Sequence, residues 1–215
     1  MHTTIRHYQP SDQPVVFEIS ADSAFFGEPV EAFLEDRCLY TDAFASYYTE
    51  FEAPFVWVAD TSQGVIGFLL GCSNTSQQSK QWRSYIITKV LMGAFSGKYK
   101  LGHRTASFAW GRLAGLFRGE EPVIDLTVYP AHLQIDIKHG YRGMGVGRRL
   151  IDAYLEQLRL MGVSGVHLGT TSHNEAACHL YENIGFQLLD SRPNLFWTKK
   201  LGYKVKNRSY GLILR

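Results

Sequence analysis

The segment YRGMGVGRRL, residues 141–150, decides the fold of this chain. It places glycine at every second position, 143, 145 and 147, after a run that alternates like a strand and before an amphipathic helical pattern. Glycine lets the backbone approach a ligand closely, and the free amides and dipole of a helix N-terminus favour an anion. The segment therefore predicts a phosphate-binding loop, and a plain tight turn is the alternative.

Two common phosphate-binding loops do not fit these glycines. A P-loop ends in Gly-Lys-Ser/Thr, which this segment lacks, and a dinucleotide fingerprint requires Gly-x-Gly-x-x-Gly. The sixth position is Arg148 when counted from Gly143 and Leu150 when counted from Gly145. The remaining pattern is Arg-Gly-x-Gly-x-Gly between a strand and a helix. Such a loop can bind a pyrophosphate through its backbone amides and needs no lysine.

A second motif, HNEAACHLYENIGF, follows at residues 173–186. Asn174, Ala177 and Tyr181 are spaced by three and four residues, so they share one face of a helix, and Gly185 ends that helix. Ser172 and Glu175 predict a capping box at the start of the same helix.

Together the two motifs resemble the GNAT superfamily of acyl-CoA-dependent N-acetyltransferases. Within it, YPAHLQID…GRRLI…GVHLG…N resembles the acetyltransferase-like domains associated with O-GlcNAcases. The resemblance implies an α/β (α+β) fold, with a mixed, mostly antiparallel central sheet, splayed strands and flanking helices. It implies one such domain over residues 1–215.

The resemblance also implies acetyl-CoA (CoA) as the cofactor and an amine as the acceptor. Two splayed strands would admit the pantetheine arm, the glycine loop would hold the pyrophosphate, and Asn174 would bind the arm. The implied cofactor-binding residues are Ile135, Ile137, Arg142, Gly143, Met144, Gly145, Val146, Gly147, Arg148, Asn174, Ala177 and Tyr181.

Direct attack of an amine on a thioester needs a base for the amine and a proton for the departing thiolate. Tyr181 is the predicted general acid, and a core tyrosine is the alternative. Asp136 is the predicted base, since it alternates with Ile135 and Ile137 along the strand. His132, His167 or a water relay are alternatives to Asp136. Cys178 is predicted to be a buried thiol, and no metal site is predicted.

Charge is strongly segregated along the chain. Residues 1–60 carry eleven acids and two bases, whereas residues 75–119 carry eight bases and no acid. Residues 73–123 show helical periodicity twice and break at SGKYKLG, so they predict a helical insertion with a solvated face. If this insertion borders the acceptor site, an acidic acceptor is favoured. A nucleic-acid patch is a remoter alternative.

The remaining predictions concern partners and location. The first residues show no signal-peptide pattern, and no apolar run is long enough to span a membrane. Three cysteines without metal or redox spacing indicate reduced thiols, so a cytoplasmic protein with no membrane partner is predicted. The acceptor would be a small molecule or peptide, and the oligomeric state stays open. An inactive acyl-CoA-binding module of the same fold is the alternative to an N-acetyltransferase.

Overall fold

Seven strands form one sheet in the computed structural model, which describes residues 2–214. They are β1 (Thr4–His7), β2 (Trp57–Thr61), β3 (Gly64–Cys72), β4 (Ala131–Ile137), β5 (Gly165–Thr171), β6 (Gln187–Pro193) and β7 (Lys206–Ile213). Their order across the sheet is β1-β2-β3-β4-β5-β7-β6. β4 and β5 pair in parallel, and the other neighbours pair antiparallel. The predicted mixed, mostly antiparallel sheet is confirmed.

Nine α-helices flank this sheet within residues 2–214. They are α1 (Gln13–Ser23), α2 (Arg37–Phe44), α3 (Ser46–Phe51), α4 (Thr75–Ile86), α5 (Met92–Phe95), α6 (His103–Phe117), α7 (Val146–Leu160), α8 (Glu175–Ile184) and α9 (Leu195–Leu201). A π-helical turn, Ile87–Leu91, joins α4 to α5, so residues 75–95 form one continuous helix. Helix α9 lies where the sequence analysis assigned no element.

Helices cover both faces of the sheet. On one face α7 buries Leu150, Tyr154 and Leu158, which are fully shielded from solvent. The Tyr154 hydroxyl lies 2.8 Å from the carbonyl oxygens of both Cys72 and His132, where β3 and β4 meet. On the other face α1 and α3 cover a second apolar cluster. The periodicity of α7, read from the sequence, thus predicts its packing face.

The parallel pair β4–β5 separates after two residues. Only Ala131 and His132 of β4 have register partners on β5, namely Val166 and His167. Beyond that point β4 continues along β3, while β5 continues along β7 to Thr171. The two strands therefore diverge toward their carboxyl ends and leave a gap in the middle of the sheet.

The predicted helical pair is present between β3 and β4 as residues 75–95 and 103–117, with the break at 96–102. Two of the eight bases of residues 75–119 pair with carboxylates of the acidic N-terminal segment. Lys98 lies 2.5 Å from the carboxylate of Asp42, and Lys89 lies 2.5 Å from that of Glu50. The acidic and basic segments of the sequence thus partly pair with each other in the folded chain. The boundaries 73–123 for an insertion stay a prediction.

Candidate active site

The gap between β4 and β5 exposes backbone groups of β4. The Lys138 N–H donates to the Ile66 carbonyl at 2.8 Å, and Asp136 pairs with Phe68 in the same register. Because hydrogen-bonding direction alternates along a strand, the peptide groups of Ile135 and Ile137 point away from β3 and into the gap. The Ile137 carbonyl already accepts from the Arg142 side chain at 2.9 Å. Ile135 therefore offers the freer peptide groups.

The glycine loop forms the N-terminus of α7 beside this gap. Gly143 and Gly145 both have a φ of +76°, and a Cβ added at either would point into open space. The backbone bond from Arg149 N–H to Gly145 O, at 3.2 Å, is the first along this helix. The amides of Val146, Gly147 and Arg148 therefore lack intrahelical acceptors. Such free amides, together with the helix dipole, suit an anion.

Gly147 has a different role from its two neighbours. A Cβ there would lie 3.3 Å from the Leu180 side chain and 3.7 Å from that of Ile135. The absence of a side chain lets α7 approach both α8 and β4 closely. Met144 projects outward and is 64% exposed, so only its backbone is placed to contribute to the loop.

Asn174 caps α8, which corrects the predicted capping box. Its Oδ1 accepts from the Ala177 N–H at 3.3 Å. Ser172 instead accepts from the Lys206 N–H at 3.0 Å and so joins β7 to the loop before the helix. Since Oδ1 is engaged in capping, the Nδ2 group of Asn174 is the part left for a ligand.

Tyr181 is 6% exposed, and its ring packs near those of Phe186 and Tyr210. Burial raises the pKa of the Tyr181 hydroxyl above its usual value, and the negative charge of Asp136 raises it further. The phenol therefore keeps its proton at physiological pH and can donate it.

Asp136 lies on the face of β4 opposite to α7. It accepts a hydrogen bond from the Ser23 hydroxyl at 3.0 Å. Burial raises the pKa of Asp136 to about 7, although hydrogen bonds from Ser23 and Gln134 and the charge of Arg142 act in the opposite direction. A carboxyl group that titrates near neutrality can accept a proton at physiological pH.

The two histidines considered as alternative bases have other partners. His132 Nε2 lies 2.7 Å from the Tyr48 hydroxyl, and Nδ1 lies 2.8 Å from that of Thr75. Burial lowers the pKa of His132 to about 3, so its ring is neutral at physiological pH. His167 Nδ1 lies 2.9 Å from the Tyr129 carbonyl, and burial lowers the pKa of His167 as well. Both residues are tied into the sheet interior.

An aromatic wall formed by Phe26, His173 and Trp197 was missed by the sequence analysis. Phe26, three residues beyond Ser23, packs its ring 4.6 Å from that of His173 and 5.2 Å from that of Trp197, centroid to centroid. Phe26 has a φ of +54°, a positive value that residues other than glycine rarely adopt. The wall joins the α1–α2 connection to α9 and to the loop before α8. No spacing in the sequence links these three segments.

Two absences hold within residues 2–214. No group of three or more His, Cys, Asp or Glu side chains is placed to hold a metal ion. No helix in that range is long and apolar enough to cross a membrane.

Two parallel strands that diverge beside a helix N-terminus with free amides are the arrangement that the resemblance to acyl-CoA-dependent N-acetyltransferases implies. Residues 108–186 match the Acetyltransferase (GNAT) family. The crystal structure of SsHAT superposes with a TM-score of 0.74 at 25% identity and covers 100% of both chains. The matched region contains both motifs, in agreement with the resemblance to the GNAT acetyltransferases that they carry.

Two further proteins are similar to this chain. A mycothiol acetyltransferase of Nocardiopsis dassonvillei is 38% identical over 90 residues, which are 40% of this chain and 25% of that protein. The structure of yncA from Salmonella typhimurium with its cofactor acetyl-CoA has a TM-score of 0.60 at 18% identity, over 99% of this chain and 94% of that chain. This chain spans about a quarter of the length of the first curated relatives it matches. The finer resemblance to O-GlcNAcase-associated domains stays a prediction.

Proposed function

We propose that this domain transfers the acetyl group of acetyl-CoA to an amine by direct attack. The observation that carries the proposal is the gap between β4 and β5, with the amides of the glycine loop at its edge. In this proposal Asp136 is the proton acceptor and Tyr181 the proton donor, and the charge of Asp136 is near enough to raise the pKa of Tyr181. The relative yncA, solved with acetyl-CoA, has the same fold.

The residues around the gap fit acetyl-CoA. Amides of the segment 142–148 would bind the pyrophosphate, because glycines at 143 and 145 leave the space before them open. Peptide groups of Ile135 and the Nδ2 of Asn174 would bind the pantetheine arm, and the side chain of Ala177 leaves room beside it. Acetyl-CoA supplies the thioester whose acetyl group is transferred.

In the proposed reaction the amine nitrogen forms a bond to the acetyl carbon while the carbon–sulfur bond breaks. Asp136 accepts the proton that the amine loses, since its pKa of about 7 leaves much of it ionised at physiological pH. Tyr181 donates a proton to the departing thiolate, because burial keeps its hydroxyl protonated. We favour the enzyme over an inactive module because burial leaves one group able to accept a proton near neutrality and another able to donate one.

The acceptor is proposed to be an amine of a small molecule or peptide. The eight bases of residues 75–119 predict an acidic acceptor. The structure supports this prediction less strongly than the sequence does. Lys98 and Lys89 already face Asp42 and Glu50, so their charges are opposed within the chain. Lys100, within the break of the insertion, and Arg104, just after it, are exposed and form no side-chain salt bridge within residues 2–214.

Release of free thiol from acetyl-CoA, measured across a panel of amines, tests this proposal. Acid-bearing, neutral and cationic amines should be compared at matched concentration and pH. We expect at least one amine to accelerate thiol release over the rate without an amine. Tight acetyl-CoA binding with no amine-dependent release would instead identify the inactive module.

A further inference from the structure

The helical pair between β3 and β4 exposes an unusual amount of apolar side chain. Nine of the nineteen large exposed apolar side chains within residues 2–214 lie between Ile87 and Phe117. Phe95 is 91% exposed, Phe117 85% and Trp110 71%. The sequence predicts a solvated face here, but single exposed apolar residues are ordinary whereas such a concentration marks an interaction surface.

The outer side of α6 carries one continuous apolar stripe. Trp110, Leu113 and Phe117 follow the spacing i, i+3, i+7 and therefore share one helical face. The inner side is fixed against α9, because a Cβ at Gly111 would lie 2.3 Å from the Phe196 ring. Helix α6 cannot turn its outer stripe inward without losing this close contact.

A second apolar group surrounds the turn at residues 96–102, before α6 begins. Met92, Phe95 and Leu101 are each more than half exposed. Lys98 and Lys100 lie within this same turn, so apolar and basic side chains alternate over a few residues. Together, the α6 stripe and this turn are called the apolar face.

Exposed positive charge lies on the same helical pair as the apolar face, with Lys100 in its turn and Arg104 just after it. Residues 75–119 contain no acid, and four of their bases, Lys80, Arg83, Lys100 and Arg104, form no salt bridge with a side chain of residues 2–214. All four are exposed. Interfacial helices combine exposed Trp, Phe and Leu with Lys and Arg in this way, because the apolar groups enter the acyl region while the bases meet anionic headgroups.

We propose that the apolar face docks on an anionic lipid surface, which departs from the sequence-based expectation of no membrane partner. A second copy of the chain would bring these bases against each other across the interface, which is unfavourable. Phe95 and Phe117 protrude instead of lining a groove. A bilayer accepts protruding side chains without a complementary pocket, whereas a protein partner would need one. The docking is peripheral and independent of acetyl transfer.

Co-sedimentation of the full chain with vesicles tests this inference. One vesicle is phosphatidylcholine alone, and the other is an equimolar mixture of phosphatidylcholine and phosphatidylglycerol. We expect binding to the anionic vesicle that weakens as salt rises, because salt screens exposed charges. The double variant Phe95→Ser, Phe117→Ser should reduce that binding at least about tenfold, since each loses a large apolar contact.

A matched control separates this effect from a general loss of surface hydrophobicity. Leu160→Ser removes a side chain that is 81% exposed at the end of α7, and it should bind like the wild type. Far-UV spectra and thermal unfolding of all three proteins confirm that they are folded. Absence of binding at low salt, or equal binding by the double variant, would overturn the inference. A dimer seen by light scattering and abolished by the same double variant would assign the face to a second copy.

Discussion

The guanidinium of Arg142 holds the carbonyl oxygen of Gly27. Its two terminal nitrogens each lie 3.2 Å from that oxygen, while Nε donates to the Ile137 carbonyl at 2.9 Å. Gly27 has a φ of +101° and follows Phe26 at +54°, so the turn is conformationally demanding. One side chain of the glycine loop thus ties the proposed pyrophosphate site to the turn that carries Phe26 of the aromatic wall.

Replacing Arg142 with alanine should weaken acceptor use more than acetyl-CoA binding. The variant keeps its backbone amide in the loop but loses a charged hydrogen bond to the Phe26–Gly27 turn, typically about 1.5–3 kcal/mol. We expect the acceptor KM to rise by roughly 10-fold to 100-fold, while the Kd of acetyl-CoA changes much less. Steady-state kinetics and a binding titration give the two constants. Arg159→Ala, at the other end of α7, is the control, and equal changes in both constants would contradict this prediction.

Replacing Gly145 with valine should abolish acetyl-CoA binding. The new side chain would project into the open space before the loop, and a φ of +76° also disfavours valine. Wild type at about a hundred times the Kd should gain roughly 2.7 kcal/mol, a melting shift of about 5–10 °C, and NADH and ATP should give far less.

The control for backbone strain is Gly162→Val. Gly162 has a φ of +71°, and a Cβ there also meets open space, but it lies beyond the other end of α7. This control should lose stability while keeping the acetyl-CoA shift. If both variants lose the shift equally, strain alone explains the effect and the phosphate assignment is wrong.

Replacing Asp136 with asparagine should remove the acidic limb of the pH–rate profile. A pKa near 7 leaves wild-type Asp136 protonated at lower pH, so activity should rise through neutrality and level off above it. The variant should lose roughly 10²–10⁴-fold in turnover. A limb that moves with the pKa of each acceptor amine would show that the amine, and not Asp136, is titrating.

The same variant should be more stable than wild type in alkaline solution. Because the folded-state pKa of Asp136 is raised, its ionisation opposes folding once the pH exceeds its ordinary pKa of about 4. The stability gain should be full above about pH 7 and vanish below about pH 4. Thermal unfolding at several pH values measures it.

Replacing Tyr181 with phenylalanine should slow turnover while leaving acetyl-CoA binding intact. The ring keeps its packing beside Phe186 and Tyr210, and only the proton donor is lost. We expect a loss of about 10²-fold, since a thiolate is already a fair leaving group. Turnover at saturating amine is compared with the Kd of acetyl-CoA. Equal turnover by both proteins would make Tyr181 a core residue only.

The sequence by itself determined the parts of this protein that depend on local pattern. Gly143 and Gly145 indicated a loop between a strand and a helix, and both lie in such a loop with a positive φ. The amphipathic pattern after the loop predicted a helix with one buried face, and Leu150, Tyr154 and Leu158 lie on that face of α7. The loop depends on contacts within a few residues, and the buried helix face depends on a hydrophobic period that is visible in the sequence.

Tertiary structure decided what depends on distant segments meeting. The tie between Arg142 and Gly27 joins residues far apart in sequence, and the strained turn at Phe26 has no local signal. Asn174 rather than Ser172 caps α8 because Ser172 is engaged by Lys206 of β7. Likewise, the charge of Lys98 is opposed by Asp42 once the chain folds. Periodicity encodes which face a residue occupies, but pKa, pairing and exposure depend on which segments the fold brings against that face.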